Sequence, residues 1–229
     1  FCNCMKIGIL ASPTKQAAWE SKQTPAVSYS WVQDSKAHED YDVFIDLDFD
    51  NHTERIVSYS TNVRTVFLLG AVKCTIESAF HQHKLSWTGA LNNKNQIIGF
   101  NAMCSFIERN TLEFTNPMGI DQSRLQTIAE QLGYPQMEVV ESRIGLITPR
   151  VVCMIINEAY YTVQEGTANR ADIDQAMKLG TNYPMGPFEW CHKIGIADVY
   201  ETLEAIYNDT HDERYKICSL LKHDYLTLL

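Results

Sequence analysis

The first part of this chain is built from short apolar runs set between longer polar stretches, and that spacing leaves few folds open. The runs are Ile7–Leu10, Ala26–Val32, Val43–Leu47, Val63–Leu69, Ile97–Phe100 and Met137–Val140. Each has the length of a strand and is too short for a buried helix. Several are apolar almost throughout, as strands covered on both faces are; a half-exposed strand would alternate. The stretches between them, such as Thr14–Lys22, read as helices. The expected architecture is a doubly wound, mostly parallel α/β sheet with helices on both faces.

After Glu141 the pattern turns helical, which sets an expected division into residues 1–142 and 143–229. Val151–Val163 carries apolar residues around much of its circumference, so it is expected to be a central, buried helix. Asn169 is placed to cap the next helix, with Asp172 near the positive end of its dipole. That helix runs through Ile173, Ala176, Met177 and Leu179, and Gly180 is the expected stop. Pro184, Gly186 and Pro187 punctuate the link to Phe188–Ile194. Two more helices are expected, at Ala197–Asn208 and Asp212–Tyr225.

Charge and composition narrow the function classes. A net charge of −9 argues against broad nucleic-acid binding, which needs a basic face to displace phosphate counterions. No apolar run approaches the roughly 20 residues that span a bilayer, so no membrane association is expected. Phe1-Cys-Asn-Cys-Met5 is too short and uncharged for a signal peptide. Seven cysteines, odd in number and irregularly spaced, read as small buried thiols in a reducing, cytoplasmic compartment. Cys2-x-Cys4 has no second pair nearby in sequence, so no metal site is expected.

The second half carries an ordered set of motifs: Arg143-Ile-Gly-Leu-Ile-Thr-Pro-Arg150, Asn157-Glu-Ala159, Ala171-Asp-Ile-Asp-Gln-Ala-Met-Lys-Leu-Gly180 and Tyr183-Pro-Met-Gly-Pro-Phe-Glu189. Together these resemble the C-terminal helical domain of the 3-hydroxyacyl-CoA dehydrogenases. The first half resembles that family's Rossmann domain, chiefly in element order. The resemblance implies an NAD-dependent oxidoreductase of fatty-acid metabolism, an acyl-CoA-type ligand and a homodimer formed through the C-terminal helices. The family's helical arm after its second strand is reduced here to Gln33–Asp42.

The dinucleotide motif departs from the family. A dinucleotide turn uses glycines to turn tightly, to admit the pyrophosphate and to pack helix on strand. On the family's frame those positions are Ala11, Pro13 and Gln16, and Pro13 also removes an N–H. Tight NAD binding is therefore not expected. Ser12 and Thr14 at the helix start, with Lys15, are the candidate anion contacts, and Asp34 is the candidate ribose acid.

The catalytic motif departs further. The family takes the hydroxyl proton with a histidine that a glutamate orients, and imidazole suits this near neutral pH. In Gly99-Phe-Asn-Ala-Met-Cys104, Asn101 stands where the resemblance puts the histidine. Glu113, twelve residues on, holds the glutamate position. Pro149 replaces the family's asparagine, and Val72 or Lys73 its serine. His81, His83 and His192 read as surface or structural residues, and Cys104 has no evident activator. Three functions stay open: a family member with lost or altered dehydrogenase activity that still binds an acyl-CoA-type ligand, an active dehydrogenase, and a non-catalytic dimeric scaffold.

Overall fold

The computed structural model describes residues 5–22 and 28–227, in two compact units that divide between Leu146 and Ile147. The Cys2-x-Cys4 pair and the first two residues of the second expected strand, Ala26 and Val27, lie outside the described residues.

The first unit is a seven-stranded sheet. Its strands are β1 (Ile7–Leu10), β2 (Tyr29–Val32), β3 (Val43–Asp46), β4 (Val66–Gly70), β5 (Ile97–Phe100), β6 (Thr111–Thr115) and β7 (Gln136–Val139). They lie in the order β2-β1-β3-β4-β5-β6-β7, all pairs parallel except β5–β6. This is the expected Rossmann-like, doubly wound architecture. The strands separate two cores because successive side chains point to opposite faces. In β4, Val66 and Leu68 join one core with Ile9, Ile45 and Trp19, while Phe67 and Leu69 join the other with Phe44, Tyr59 and Phe80. Each such side chain contributes about 1.5–3 kcal/mol by leaving water.

Strand β6 was not among the expected runs. Glu113 and Thr115 interrupt its apolar pattern, although Leu112 and Phe114 keep a period of two and four of its five residues are buried. Among its described residues the unit has five α-helices, three of which begin at side-chain caps. They are α1 (Pro13–Glu20), α2 (Ile56–Tyr59), α3 (Ile76–Gln82), α4 (Trp87–Asn92) and α5 (Gln122–Gln131). Thr75 and Ser78 form a reciprocal capping box on α3, and Ser86 and Asp121 cap α4 and α5.

The second unit is all helical: α6 (Thr148–Gln164), α7 (Arg170–Thr181), α8 (Pro187–Ile194), α9 (Ile196–Thr210) and α10 (Ser219–Thr227). As expected, α6 is central, touching the other four helices. It is not buried all round, however, for Val151 is 51% exposed. Asn169 caps α7, accepting from the Asp172 N–H at 3.0 Å. Gly180 does not stop that helix. The stop is Asn182, in the left-handed region at φ 57°, because a glycine inside a helix costs only about 1 kcal/mol while an asparagine tolerates that turn.

The helix expected at Asp212–Tyr225 is also broken, into a short turn at Glu213–Tyr215 followed by α10. Buried Asn157 holds the break open. Its Nδ2 donates to the Lys216 carbonyl at 2.9 Å, and its Oδ1 accepts from the Cys218 N–H at 2.9 Å. Among the described residues Cys74, Cys104, Cys153, Cys191 and Cys218 are in no disulfide, and no helix is long and apolar enough to cross a membrane.

Candidate functional site

In a sheet ordered β2-β1-β3, the chain leaves β1 toward one side and returns on the other. The crevice beyond the carboxyl ends of β1 and β3 is where such folds take ligands. Here the two strand ends are tied together, with the Leu47 N–H donating to the Leu10 carbonyl at 2.9 Å.

Asp48 reaches from the end of β3 to the start of α1. Its carboxylate accepts from the Ser12 N–H and, at 3.0 Å, from the Ser12 hydroxyl. Lys15 turns inward, donating to the Leu47 carbonyl at 2.5 Å with its Nζ 3.7 Å from the same carboxylate. The three groups form a closed cluster in which side-chain exposure is 9% for Lys15 and 13% for Asp48.

Two further aspartates line this edge. Asp46 is fully buried and takes both an Arg55 Nη1 contact at 3.1 Å and the Tyr59 hydroxyl at 2.8 Å. Burial pushes its carboxyl pKa up, and Arg55 and Tyr59 oppose the rise. Asp50 accepts from the Val72 N–H at 2.9 Å and the Lys73 N–H at 2.8 Å. Burial pushes Asp50 up as well, against Lys15 and these donors. Beside it, burial and then the Asp50 charge push the Cys74 thiol well up, so it is no thiolate near neutral pH. Lys73 itself donates to Asn51 at 3.2 Å.

The sequence-based candidates are thus scattered in role. Ser12 is engaged by Asp48, and Thr14 is exposed. Asp34 caps the turn at Ser35–Asp40, accepting from the Lys36 N–H at 2.9 Å. Asp48 and Asp50 were missed. Their signal was the alternation Asp46-Leu-Asp-Phe-Asp50 leaving a strand beside the point where the strand order reverses. The residues present do not fit the diphosphate of a dinucleotide. Like charges about 4 Å apart repel by about 4 kcal/mol at the effective dielectric near a protein surface, and the Asp48 carboxylate already takes the Ser12 N–H and hydroxyl at the start of α1.

Asn101 and Glu113 do meet. The antiparallel pairing of β5 and β6 sets Phe100 opposite Phe114, and the Asn101 N–H donates to the Glu113 carbonyl at 3.0 Å. The Asn101 Nδ2 donates to Glu113 Oε2 at 3.3 Å, and its Oδ1 accepts from the Met103 N–H at 3.3 Å. Both side chains are buried. Arg109 lies within electrostatic reach: burial lowers its pKa and Glu113 opposes that. An amide in this position can orient a ligand oxygen, but it does not accept a proton near neutral pH.

Of the other candidates, His81 lies exposed on α3, and His83 ends that helix with Nε2 3.1 Å from the Thr53 hydroxyl. Cys104 is buried. In the helical unit, Pro149 lies in the first turn of α6, Arg150 donates to the Tyr215 hydroxyl at 2.9 Å, and His192 is exposed on α8.

The family model described as 3-hydroxyacyl-CoA dehydrogenase, C-terminal domain, matches residues 145–226. A 3-hydroxyadipyl-CoA dehydrogenase of Escherichia coli K12 is 39% identical over 101 residues, 44% of this chain and 19% of that protein. A probable 3-hydroxybutyryl-CoA dehydrogenase of Bacillus subtilis is 37% identical over 98 residues, 43% of this chain and 34% of that protein. The chain thus matches between a fifth and about a third of these curated relatives' lengths. Among solved structures, (S)-3-hydroxybutyryl-CoA dehydrogenase PaaH1 of Ralstonia eutropha superposes with a TM-score of 0.71 at 16% identity, covering 98% of this chain and 94% of that one. Mycobacterium tuberculosis FadB2 gives 0.75 at 13% identity with the same coverage. At such identities these two likenesses bear on the fold alone.

Proposed function

We propose that this chain, whose residues 145–226 match the C-terminal domain of the 3-hydroxyacyl-CoA dehydrogenases, is a dehydrogenase-like protein that has lost NAD-dependent hydride transfer and still binds an acyl-CoA-type ligand. What supports this is the buried Asn101–Glu113 pair. A 3-hydroxyl is oxidised only if a base takes its proton as hydride leaves; the Asn101 amide at the histidine's position is no such base, and the Glu113 carboxylate behind it is engaged by the Asn101 Nδ2. Glu113 keeps a hydrogen-bond partner to orient, but that partner has no proton chemistry of its own. What the pair can still do is hold a ligand carbonyl or hydroxyl. The substrates named for the relatives point to short acyl-CoA esters as the ligand class.

The protein then acts as a homodimer, for which the exposed apolar side chains of Leu179 and Val151 in the helical unit offer surface. Cysteines in no disulfide suit a reducing compartment such as the cytoplasm. The test is to mix the purified protein with NADH and acetoacetyl-CoA. The expected result is no NADH consumption above the protein-free rate, with a melting temperature raised by the CoA ester. NADH consumption proportional to protein would overturn the loss of chemistry, and an unchanged melting temperature would overturn the ligand. Light scattering at micromolar concentration reads the dimer, and a monomer would count against it.

A further inference from the structure

We infer that the anion site of the crevice is filled from within: the Asp48 carboxylate takes the place of a nucleotide diphosphate, held by the Ser12 N–H and hydroxyl and by Lys15. The inference stands on the β1–β3 edge alone and does not depend on how Asn101 is read.

Three observations carry it. The first is the donor set. A main-chain N–H at a helix start, a hydroxyl and a buried ammonium are what a phosphate group requires, and here all three converge on a single carboxylate. The second is burial. Lys15 is 7% exposed, and its ammonium is held between Leu47 and Asp48. A lysine drawn this far from water calls for a permanent counter-charge. Asp48 supplies that charge 3.7 Å away, with the Asp50 charge also within electrostatic reach of Lys15, and neither can leave as a nucleotide would.

The third is repetition. At the neighbouring strand end, Asp50 occupies the N–H groups of Val72 and Lys73 in the same manner. Two carboxylates spaced two residues apart on one loop thus satisfy two sets of donors along one sheet edge. Pro13 adds to the closure, because it presents no N–H and its ring sits at the first helical position. The crevice has therefore not simply lost its glycines. Its electropositive donors survive and have been given an internal anion.

The prediction is that removing Asp48 uncovers an anion site. Inorganic pyrophosphate is titrated by calorimetry into the wild-type full chain, Asp48→Ala and Asp48→Asn. The expected result is negligible binding by the wild type and affinity raised by about tenfold or more in Asp48→Ala. Asp48→Asn keeps the volume and one acceptor but drops the charge, and should show a smaller gain in the same direction. It serves as the reading if the alanine variant fails to fold. Adding Lys15→Met to either variant should abolish the gain, which locates the bound anion. Equal pyrophosphate affinity in all proteins, or a gain that survives Lys15→Met, would overturn the inference. Saturable NADH binding by the wild type without turnover would also overturn it, yet leave the lost proton transfer intact. Failure of acyl-CoA binding would touch only the proposed ligand.

Discussion

Asp174 of α7 caps the helix that follows it in the chain, its Oδ1 accepting from the Phe188 N–H at 2.8 Å. The other oxygen accepts from the Glu189 N–H at 3.2 Å, so one carboxylate serves two of the N–H groups left open at the start of α8. This explains the middle of Tyr183-Pro-Met-Gly-Pro-Phe-Glu189. A Cβ on Gly186 would run into the Asp174 carboxylate. Gly186→Ala should therefore destabilise the protein by about 2 kcal/mol through crowding and a displaced cap, read as a lower urea midpoint at unchanged slope. A midpoint equal to wild type would show that Asp174 moves aside at no cost.

Asn101→His should not restore dehydrogenase turnover. The imidazole would meet Glu113, but Asp48 would still occupy the donors a nicotinamide dinucleotide needs. Acetoacetyl-CoA reduction followed by NADH absorbance should match the protein-free rate. Turnover by this single variant would mean that the cofactor enters past Asp48.

His38 should make stability fall on acidification. Its ring is 2% exposed, packed edge-on against Phe44, Tyr59 and Phe67. Asn62 Oδ1 accepts from the Arg64 and Thr65 N–H groups, which turns the Asn62 Nδ2 toward His38 Nδ1 at 3.0 Å. Nδ1 is then an acceptor and Nε2–H donates to the Ser58 hydroxyl at 2.9 Å. Protonation would set two donors face to face. Burial lowers the His38 pKa, with Glu39 opposing. The unfolded chain therefore takes the proton first. The contribution is complete above the ordinary value of 6.5 and is lost as pH falls through it toward the lowered folded value. Urea midpoints across this window should drop more for wild type than for His38→Gln. Parallel curves would remove His38 as the cause.

Lys22→Met should stabilise the protein near neutral pH. The ammonium sits over the Tyr134 ring with no hydrogen-bond partner among the described residues. Burial lowers its pKa from 10.5 to about 7. Between those values the unfolded chain holds a proton that the folded chain gives up, so wild-type stability rises with pH through that window. The methionine variant has no such titration. Its advantage should be on the order of 2 kcal/mol at pH 7 or below and fade toward pH 10.5. An advantage independent of pH would point to packing instead.

Much of the fold was legible because it is written locally. All six expected runs overlap strands, and four of them, Ile7–Leu10, Ala26–Val32, Val43–Leu47 and Ile97–Phe100, contain the whole strand, since an apolar stretch of strand length has one stable use between two helical layers. The helical unit was legible through its caps, Asn169 above all. Strand β6 was not, because Glu113 and Thr115 face an interior that only the neighbouring strands create. The breaks at Asn182 and before α10 were equally hidden. The second depends on Asn157, 61 residues before the Cys218 N–H that it accepts from.

The candidate site divides in the same way. Asn101 and Glu113 are twelve residues apart across one antiparallel connection, and their meeting was implied by the family resemblance, since β6 itself was not expected. Asp48 and Ser12 are 36 residues apart, and Asp50 and Val72 are 22 apart.

Residue order alone determined the alternation of strand and helix, the change to an all-helical second half, and that Ala11, Pro13 and Gln16 are not glycines and Asn101 is not a histidine. Only the tertiary structure decided what fills the crevice. A carboxylate's effect depends on which donors face it, and the strand order, not the neighbouring residues in the chain, brings Ser12 and Lys15 to Asp48.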